Sequence, residues 1–437
     1  MSGYAGKAVR IDLTNKKVHI FKTPERLCEE YLGGRGIGVA LISEKICLDY
    51  YSPDMPIIFV TGPLVGTPSP TSGRMSVISR SPLTGTVFDC SVGGRFGTEL
   101  KRAGFDYIEI TGVSDKWVFL DIEDNNVSLK EAHEIYGKNI SELKDVLAAK
   151  GSYAAIGRAG ERRVRFASII FDGHYAAGRG GLGAVMGAKR LKAIRVKGTG
   201  NVPVADAERI KKAREEIMRL LRASPAIFGE FGISEFGTAA LVDLIHARRI
   251  EPTENFRKTF FEESNSYSGY RLKELYNAKK TGCAGCPILC KKIGVKGEKI
   301  PEYETVSHFG ALNGCSDPNL IVKANKICDD YGMDTISAAS TIACYSEIRA
   351  KRFCSEEILE LLVQIAERKG ETGDGLAEGS LRYATSVGHP QRSISVKGLE
   401  LPAYDPRGAY GMALAYATSN RGGCHLRAYP ISHEILR

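Results

Sequence analysis

The spacing of the apolar residues changes from the period of strands to the period of helices near residue 200. Before this point, "VRIDLTNKKVHIF" and "WVFLDIEDNNVSL" each alternate apolar and polar residues on both sides of a turn, which predicts two antiparallel hairpins. After it, "AERIKKAREEIMRLL" carries apolar residues three and four positions apart, behind Asp206 as a predicted helix N-cap. Two halves with such different periods restrict the chain to the α+β class.

We expect two domains, because 437 residues exceed what a single hydrophobic core organises. The segment "KGTGNVPVAD" contains Gly and Pro and indicates a boundary between residues 1–204 and 205–437. The first domain is predicted to be a β-rich platform with Gly-rich loops. The second is predicted to be α-helical, because segments such as "SEEILELLVQIAERKG" have the apolar spacing of helices packed on one side.

Composition excludes several partners. The formal net charge is +9, but Lys and Arg are interleaved with Asp and Glu, so the chain is not expected to bind nucleic acid. No stretch approaches about 18 consecutive apolar residues, and the N-terminus lacks the apolar segment of a signal peptide. We therefore expect no membrane contact and a cytoplasmic location.

The cysteines point to metal ligation. There are eleven, an odd number at irregular spacing, which fits reduced thiols better than a disulfide framework. Cys283, Cys286 and Cys290 form a C-x2-C-x3-C array in "TGCAGCPILCKK". A zinc site would need a fourth Cys or His, and the downstream His308 and Cys315 do not form a second ligand pair. Three close cysteines with one remote cysteine are common in iron-sulfur proteins, so we favour a cluster over three structural thiols.

Two Gly-rich stretches are candidate ligand loops. Arg179 lies inside "AAGRGGLGAVMG", where bare backbone N–H groups and a guanidinium suit an anionic phosphate. A tight turn that packs a helix on a sheet explains this stretch equally well. Arg74, Ser91, Gly93 and Gly94 lie in further turns that, taken singly, are ordinary.

Two further stretches carry acid–base side chains. "PEYETVSHFG" places Glu302 and Glu304 two positions apart, which puts them on one face if the segment is extended. "NRGGCHLRAY" places His425 after a Gly pair and next to Cys424. A surface carboxylate pair and a structural histidine are the usual interpretations of such patterns.

A resemblance across the whole chain is more specific than any single pattern. It rests on these segments in this order: "YLGGRGIG", "GPLVGTPSPTSGR", "SPLTG", "GGRFGTELKRAGFD", "AAGRGGLGAVMG", "CAGCPILC", "PEYE", "CDDYGMDTIS", "LPAYDPRGAYG" and "NRGGCH". Together they resemble the tungsten-containing aldehyde ferredoxin oxidoreductases. The resemblance implies a β-rich domain that forms the base for a tungsten (or molybdenum) bis-pterin cofactor, covered by helical domains.

The resemblance also implies roles for individual residues. Glu304 and His425 correspond to the carboxylate and the histidine beside the metal, and Ser91 stands where archaeal members often have Asn. Arg74 corresponds to the arginine between cluster and pterin. The pterin-contacting positions are Gly93, Gly94, Arg179 and, in a D-x-x-G-L-D motif with Met333 in place of Leu, Asp329, Gly332 and Asp334.

The implied activity is oxidation of an aldehyde to a carboxylic acid, with electrons passing through a [4Fe-4S] cluster to ferredoxin. In the family the fourth cluster cysteine lies in a C-terminal domain that we expect to be missing here. We therefore expect the fourth ligand to lie outside this chain, and a second polypeptide to be needed before the chain is active. The alternatives are a related tungsten enzyme that reduces an aromatic acyl-CoA, and a truncated non-catalytic or split subunit.

Some dimers of this family share a bridging metal held by a Glu/His pair, and the Glu comes from the helix before the D-x-x-G motif. Here the corresponding helix carries Lys323 and Lys326. An ammonium group repels a cation and is a poor ligand for it. We therefore expect any homodimer to lack a bridging metal.

Overall fold

The computed structural model describes residues 1–148 and 151–436, and it divides into two compact units. Unit 1 consists of Met1–Leu221 with two short segments from later in the chain, Cys283–Pro287 and Asp329–Met333. Unit 2 consists of Arg222–Gly282, Ile288–Cys328 and Asp334–Arg437. The sequence predicts a boundary after residue 204 and does not indicate the two inserted segments, whereas the first unit extends to Leu221. Both of these segments carry residues that the sequence analysis assigned to cofactors.

Unit 1 contains two mixed six-stranded sheets. Their strands are β1 (Lys7–Asp12), β2 (Lys17–Lys22), β3 (Ile57–Val60), β4 (Met75–Arg80), β5 (Val87–Val92), β6 (Phe105–Thr111), β7 (Val118–Glu123), β8 (Asn126–Glu131), β9 (Ser152–Ala155), β10 (Ile169–Phe171), β11 (Tyr175–Ala177) and β12 (Leu191–Lys197). The first sheet has the strand order β2-β1-β6-β3-β4-β5, and the second has the order β11-β10-β9-β12-β7-β8.

Both predicted hairpins are confirmed. Strand β1 pairs with β2, and β7 pairs with β8, each in antiparallel register around the turn that the sequence indicated. The sheets also contain two parallel pairs, β1 with β6 and β7 with β12. Strands β6 and β12 are buried along nearly their whole length, so their side chains form the centre of each sheet.

The helices of unit 1 pack on these sheets. They are α1 (Glu25–Tyr31), α2 (Arg35–Ile42), α3 (Phe96–Arg102), α4 (Ile140–Leu147), α5 (Arg158–Glu161), α6 (Leu182–Ala188) and most of α7 (Ala207–Ala223). Helix α7 confirms the predicted N-cap, because the Asp206 carboxylate accepts a hydrogen bond of 2.9 Å from the Arg209 N–H. Helix α2 packs its buried Ile37 and Ile42 with Ile58 and Ile78 of the first sheet.

Unit 2 is mainly helical, which confirms the α+β class. Its helices are α8 (Pro225–Phe228), α9 (Ile233–Phe236), α10 (Leu241–Ala247), α11 (Gly269–Tyr276), α12 (Tyr303–Phe309), α13 (Pro318–Tyr331, whose last residues belong to unit 1), α14 (Thr335–Ile348), α15 (Ser355–Glu367), α16 (Gly370–Leu376), α17 (Ser380–Ser386), α18 (Tyr410–Thr418) and α19 (Ile431–Leu436). Short strands form a three-stranded sheet of β13 (Lys279–Thr281), β14 (Lys291–Ile293) and β15 (Lys299–Ile300) and a pair of β16 (Ser395–Val396) and β17 (Leu399–Glu400).

Across residues 1–148 and 151–436, no helix has both the length and the apolar character that crossing a membrane requires.

Unit 1 buries a lysine that makes hydrogen bonds to backbone oxygens. The Lys189 Nζ donates to the Pro53 carbonyl at 3.1 Å and to the Gly112 carbonyl at 3.3 Å, and the residue is almost fully buried. Burial, partly offset by the Asp54 carboxylate, lowers the pKa of Lys189 from 10.5 to about 8. Below pH 8 the folded protein therefore carries a buried charge at a cost in stability.

We expect this lysine to make unit 1 more stable as the pH rises from about 8 to 10.5. In this window the unfolded chain still holds the proton that the folded chain has released, so the free energy of unfolding increases with pH, by about 3 kcal/mol in total. Urea unfolding at several pH values should show this increase for the wild type and lose it in Lys189→Met. Lys17→Met, at an exposed site on β2, should keep it. Equal slopes for the wild type and Lys189→Met would contradict the assignment.

Candidate cofactor and active site

The end of the β4–β5 hairpin holds an arginine in a fixed position. Arg74 lies just before β4, and its Nε donates to the Ser91 Oγ at 2.9 Å while its Nη2 donates to the Ser91 carbonyl at 2.7 Å. Both side chains are exposed. The guanidinium is therefore oriented by the strand and keeps further N–H groups for an anion.

The first inserted segment packs directly against this hairpin. The Ala284 N–H donates to the Gly94 carbonyl at 3.4 Å. A Cβ atom added to Gly93 would lie 2.3 Å from the Cys283 Sγ, so the thiol occupies the space that any side chain at Gly93 would fill. The structure thus brings Arg74, Ser91, Gly93, Gly94 and Cys283 together.

The cysteine array itself is a loop between β13 and β14. The Cys286 N–H donates to the Cys283 carbonyl at 3.1 Å, and Gly285 supplies the left-handed conformation, with φ of +68°, that this turn requires. Cys283 and Cys286 belong to unit 1, and Cys290 belongs to unit 2, next to β14. All three are partly exposed, whereas Cys328, Cys344 and Cys424 are buried.

Within the part of the chain that the structure describes, no group of three His, Cys, Asp or Glu side chains is arranged to hold a single metal ion. The three array cysteines are thus not arranged around one bare ion. A multi-iron cluster keeps its ligands further apart than one ion does, because the cluster itself lies between the thiolates.

The predicted ligand loop around Arg179 also packs against β5. The Cys90 Sγ donates to the Arg179 carbonyl at 3.0 Å, and a Cβ at Gly180 would lie 2.7 Å from the Phe88 ring. Gly180 and Gly181 both have φ near +80°, so the loop depends on glycine for its shape. We call Arg74, Ser91, Gly93, Gly94 and Arg179 the β5 platform.

The second inserted segment, Asp329–Met333, lies next to the Arg179 loop. The Ser168 N–H donates to the Gly332 carbonyl at 2.8 Å, and the Ser168 Oγ donates to the Gly178 carbonyl at 3.0 Å. Gly332 has φ of +73°, and a Cβ there would lie 2.9 Å from the Gly157 nitrogen. One serine therefore joins two of the segments that the resemblance assigned to pterin contacts.

Asp334 ends the same motif but lies in unit 2. Its carboxylate caps helix α14, accepting hydrogen bonds from the Ile336 N–H at 3.3 Å and from the Ser337 N–H and Oγ at 3.1 and 2.7 Å. A pterin contact of Asp334 stays a prediction, and capping is the role that the structure shows.

The predicted catalytic residues meet in unit 2. Residues 303–309 are helical rather than extended, so Glu302 and Glu304 do not share a face. The Glu302 Oε2 forms an ion pair with the Lys291 Nζ at 2.9 Å, and Glu304 has different partners. The Glu304 Oε1 lies 3.8 Å from the His425 Nε2, and the Ala403 N–H donates to the Glu304 Oε2 at 2.9 Å. One carboxylate oxygen is thus anchored and the other faces the histidine.

Three tyrosines line this carboxylate–histidine pair. The Tyr303 and Tyr404 rings stack with centroids 5.3 Å apart, and the Tyr404 hydroxyl lies 3.5 Å from the Tyr429 hydroxyl. Burial, and next the Glu304 carboxylate, raise the pKa of Tyr303 and of Tyr404 well above the usual range. Burial also raises the pKa of Tyr429. These phenols stay neutral at physiological pH and can donate hydrogen bonds.

The sequence analysis missed His308 as part of this site. It lies one helical turn after Glu304, and its Nδ1 is 3.6 Å from the Glu304 Oε2. The i, i+4 spacing would have indicated this contact if residues 303–309 had been assigned to a helix. It also missed Tyr404 and Tyr429, which come from other segments of unit 2 and share no spacing with Glu304.

Family models match nearly the whole chain. The model described as the N-terminal domain of aldehyde ferredoxin oxidoreductase matches residues 8–198. The model described as domains 2 and 3 of aldehyde ferredoxin oxidoreductase matches residues 212–437. The first contains the β5 platform, and the second contains the cysteine array and the Glu304–His425 pair. The chain belongs to the aldehyde ferredoxin oxidoreductase family.

Individual relatives agree with this assignment. The tungsten-containing aldehyde ferredoxin oxidoreductase of Pyrococcus furiosus is 41% identical over 462 residues, which cover 100% of this chain and 76% of that protein. The Thermococcus kodakarensis protein of the same name is 40% identical over 461 residues, with the same coverage. Among solved structures, the active site complex BamBC of benzoyl coenzyme A reductase with 1,5-dienoyl-CoA is 27% identical, with a TM-score of 0.82 over 92% of this chain and 66% of that one.

We expect Gly93→Ala to prevent iron binding while leaving unit 1 folded. The new methyl group would lie 2.3 Å from the Cys283 Sγ, and the cysteine loop would have to move away to relieve this overlap. Iron analysis after anaerobic reconstitution should therefore show most of the iron lost relative to the wild type. Gly62→Ala is the matched control, since a Cβ at Gly62 meets nothing within 4 Å. Full iron content in Gly93→Ala would contradict the placement of Cys283 as a ligand.

Proposed function

We propose that the chain oxidises an aldehyde to a carboxylic acid in a tungsten-dependent reaction and passes the electrons to ferredoxin. In balance, the aldehyde and one water give the acid, two protons and two electrons, and the electrons reduce ferredoxin. The observation that carries this proposal is the Glu304–His425 pair, which places a carboxylate and an imidazole 3.8 Å apart within a tyrosine-lined site. The names of the relatives supply the substrate and the acceptor.

The residues of the β5 platform fit an anionic pterin cofactor. The Arg74 guanidinium is fixed by Ser91, is exposed, and keeps N–H groups for an anionic oxygen. Arg179 precedes Gly180 and Gly181, and these two glycines and Gly332 have positive φ, so bare backbone would be open to a ligand at both turns. When bound, the tungsten pterin would supply Lewis-acid and two-electron redox chemistry. The names of the relatives support tungsten rather than molybdenum.

Glu304 is proposed as the general base. Its Oε2 is held by the Ala403 N–H, so the carboxylate cannot rotate freely, and its Oε1 remains directed at the side of His425. It would accept the proton released as water adds to the aldehyde carbon. His425 is partly exposed and would donate a hydrogen bond to the oxygen on which negative charge develops. Tyr404 and Tyr429, which stay protonated, would keep the site from carrying further negative charge.

The cysteine array is proposed to hold a [4Fe-4S] cluster that takes the electrons onward. Cys283 lies beside Gly93, next to the fixed guanidinium of Arg74, so the cluster and an anion on this arginine would be neighbours. Cofactors held at these neighbouring residues would be well placed for electron transfer. The identity of the fourth ligand stays a prediction.

Reduction of an aromatic acyl-CoA is the second candidate function. The BamBC complex, whose title names benzoyl coenzyme A reductase, shares the fold over most of this chain. The identity of 41% to an aldehyde ferredoxin oxidoreductase, against 27% to BamBC, favours the aldehyde reaction. BamBC is a complex, and a further relative from Pyrococcus furiosus is named as a WOR-like subunit, which supports the idea that a second polypeptide works with this chain.

Glu304→Gln should lower turnover by roughly 10²- to 10⁴-fold, because Gln cannot accept a proton but keeps the oxygen that Ala403 holds. Aldehyde-dependent dye reduction should be measured on enzyme whose tungsten and iron contents match those of the wild type. Glu302→Gln is the matched control, because this neighbouring carboxylate pairs with Lys291 and does not face His425. Turnover that survives in Glu304→Gln at normal tungsten content would remove Glu304 from the mechanism.

Cys286→Ala should lose the cluster, since it removes one of three thiolates that are close in the chain. The visible absorption spectrum and the iron content of the anaerobically purified variant report this loss. Cys47→Ala controls for the general effect of removing a thiol, because Cys47 is an exposed free cysteine outside the array. An intact cluster spectrum in Cys286→Ala, with Cys47→Ala behaving like the wild type, would show that the ligands have been assigned wrongly.

A further inference from the structure

His308 is fully buried in helix α12, and both of its ring nitrogens face backbone carbonyl oxygens. The Nδ1 lies 2.6 Å from the carbonyl oxygen of Glu304 in the preceding helical turn. The Nε2 lies 3.2 Å from the carbonyl oxygen of Leu401, which follows strand β17. Both distances are within the range of hydrogen bonds.

A carbonyl oxygen can only accept a hydrogen bond, so each nitrogen that makes these contacts has to carry a hydrogen. Neutral imidazole has a single N–H, and its second nitrogen presents a lone pair. In a neutral His308, one nitrogen would therefore direct its lone pair at a carbonyl oxygen, inside the protein and out of reach of water. The doubly protonated imidazolium satisfies both contacts.

A buried imidazolium needs a counter-charge, and the structure provides one. The Glu304 Oε2 lies 3.6 Å from the His308 Nδ1, and the same oxygen accepts the Ala403 N–H. An opposite charge at this distance favours the ionised form of both groups. The pair lies on a single face of α12, because residues four apart are neighbours on a helix.

His308 also ties together the two segments that hold the carboxylate. Through Nδ1 it binds the backbone of α12 at Glu304, and through Nε2 it binds the backbone at Leu401, two residues before Ala403. Helix α12 and the 401–403 segment are thus held at a fixed spacing on both sides of the Glu304 side chain.

We propose that His308 is a permanently protonated positioning residue that keeps Glu304 ionised and oriented toward His425. The functional part of this proposal rests on the proposed role of Glu304 as the general base. The charge state of His308 is a property of the polypeptide and can be measured without substrate turnover.

The test is ¹⁵N NMR of the full chain with ¹⁵N-labelled histidine, at about pH 8, where an exposed histidine with a pKa near 6.5 is neutral. The His308 ring should show two protonated nitrogens. The ring of His133, whose side chain is 76% exposed, serves as the comparison. The variants His308→Gln and His133→Gln assign the two sets of signals. If His308→Gln does not fold, single substitutions of the seven other histidines assign His308 by elimination.

A single protonated nitrogen in His308 at this pH would overturn the proposal. Glu304→Gln provides the second arm, since it removes the counter-charge and keeps the side-chain shape. In this variant His308 should change to a singly protonated ring. Two protonated nitrogens that persist in Glu304→Gln would refute the coupling between the two side chains.

In the cofactor-loaded enzyme, His308→Gln should lower kcat by about 10²-fold through loss of orientation and leave KM nearly unchanged. His133→Gln should change neither. An unaltered kcat in a folded, tungsten-loaded His308→Gln would overturn the positioning role. Failure of the proposed function is a separate result: it would appear as normal turnover in Glu304→Gln, with the NMR signature of His308 in the wild type intact.

Discussion

The insertion of two short segments into the β-rich unit is the constraint on which the candidate cofactor site depends. Cys283–Pro287 and Asp329–Met333 come from the helical half of the chain, yet they pack with the sheets. Backbone hydrogen bonds hold them there, from the Ala284 N–H to Gly94 and from the Ser168 N–H to Gly332. Because side chains are absent at Gly93 and Gly332, the inserted backbone and the Cys283 thiol come within contact distance of the sheet edge. Two segments from the helical half of the chain are therefore part of the β-rich unit.

The parts of the fold that depend on neighbouring residues could be predicted from the sequence. The two hairpins follow from alternation around a turn, and α7 follows from its spacing and from Asp206, since each signal lies within about 15 residues. The parallel pairs β1 with β6 and β7 with β12 join strands far apart in the chain. Central strands buried on both faces have no alternation that specifies a partner, so apolar pattern alone could not place them.

The candidate site also contains residues that local sequence patterns indicate and residues that they do not. The spacing of Cys283, Cys286 and Cys290 is local and indicated a cluster directly. The expectation that Arg74 lies between the cluster and the pterin came from the family resemblance, because the sequence itself contains no signal that links Arg74 with Cys283. The contact of His308 with Glu304 was not predicted because Glu302 and Glu304 were treated as an extended segment. In the structure, Glu304 and His308 lie one turn apart on α12, and Glu302 pairs with Lys291.

The motif at residues 329–334 shows how one stretch of sequence serves both the fold and the site. Gly332 lets the backbone approach Ser168 in unit 1, and Asp334, two residues later, caps α14 in unit 2. The cap bonds to Ser337, whose Oγ also lies 2.7 Å from a carboxylate oxygen of the buried Glu400. Glu400 comes just before the segment that holds Glu304 through Ala403. Asp334, at the acidic end of this motif, therefore caps α14 and is linked through Ser337 and Glu400 to the segment that binds Glu304. Its glycine is explained by the close approach of the backbone to the β-rich unit.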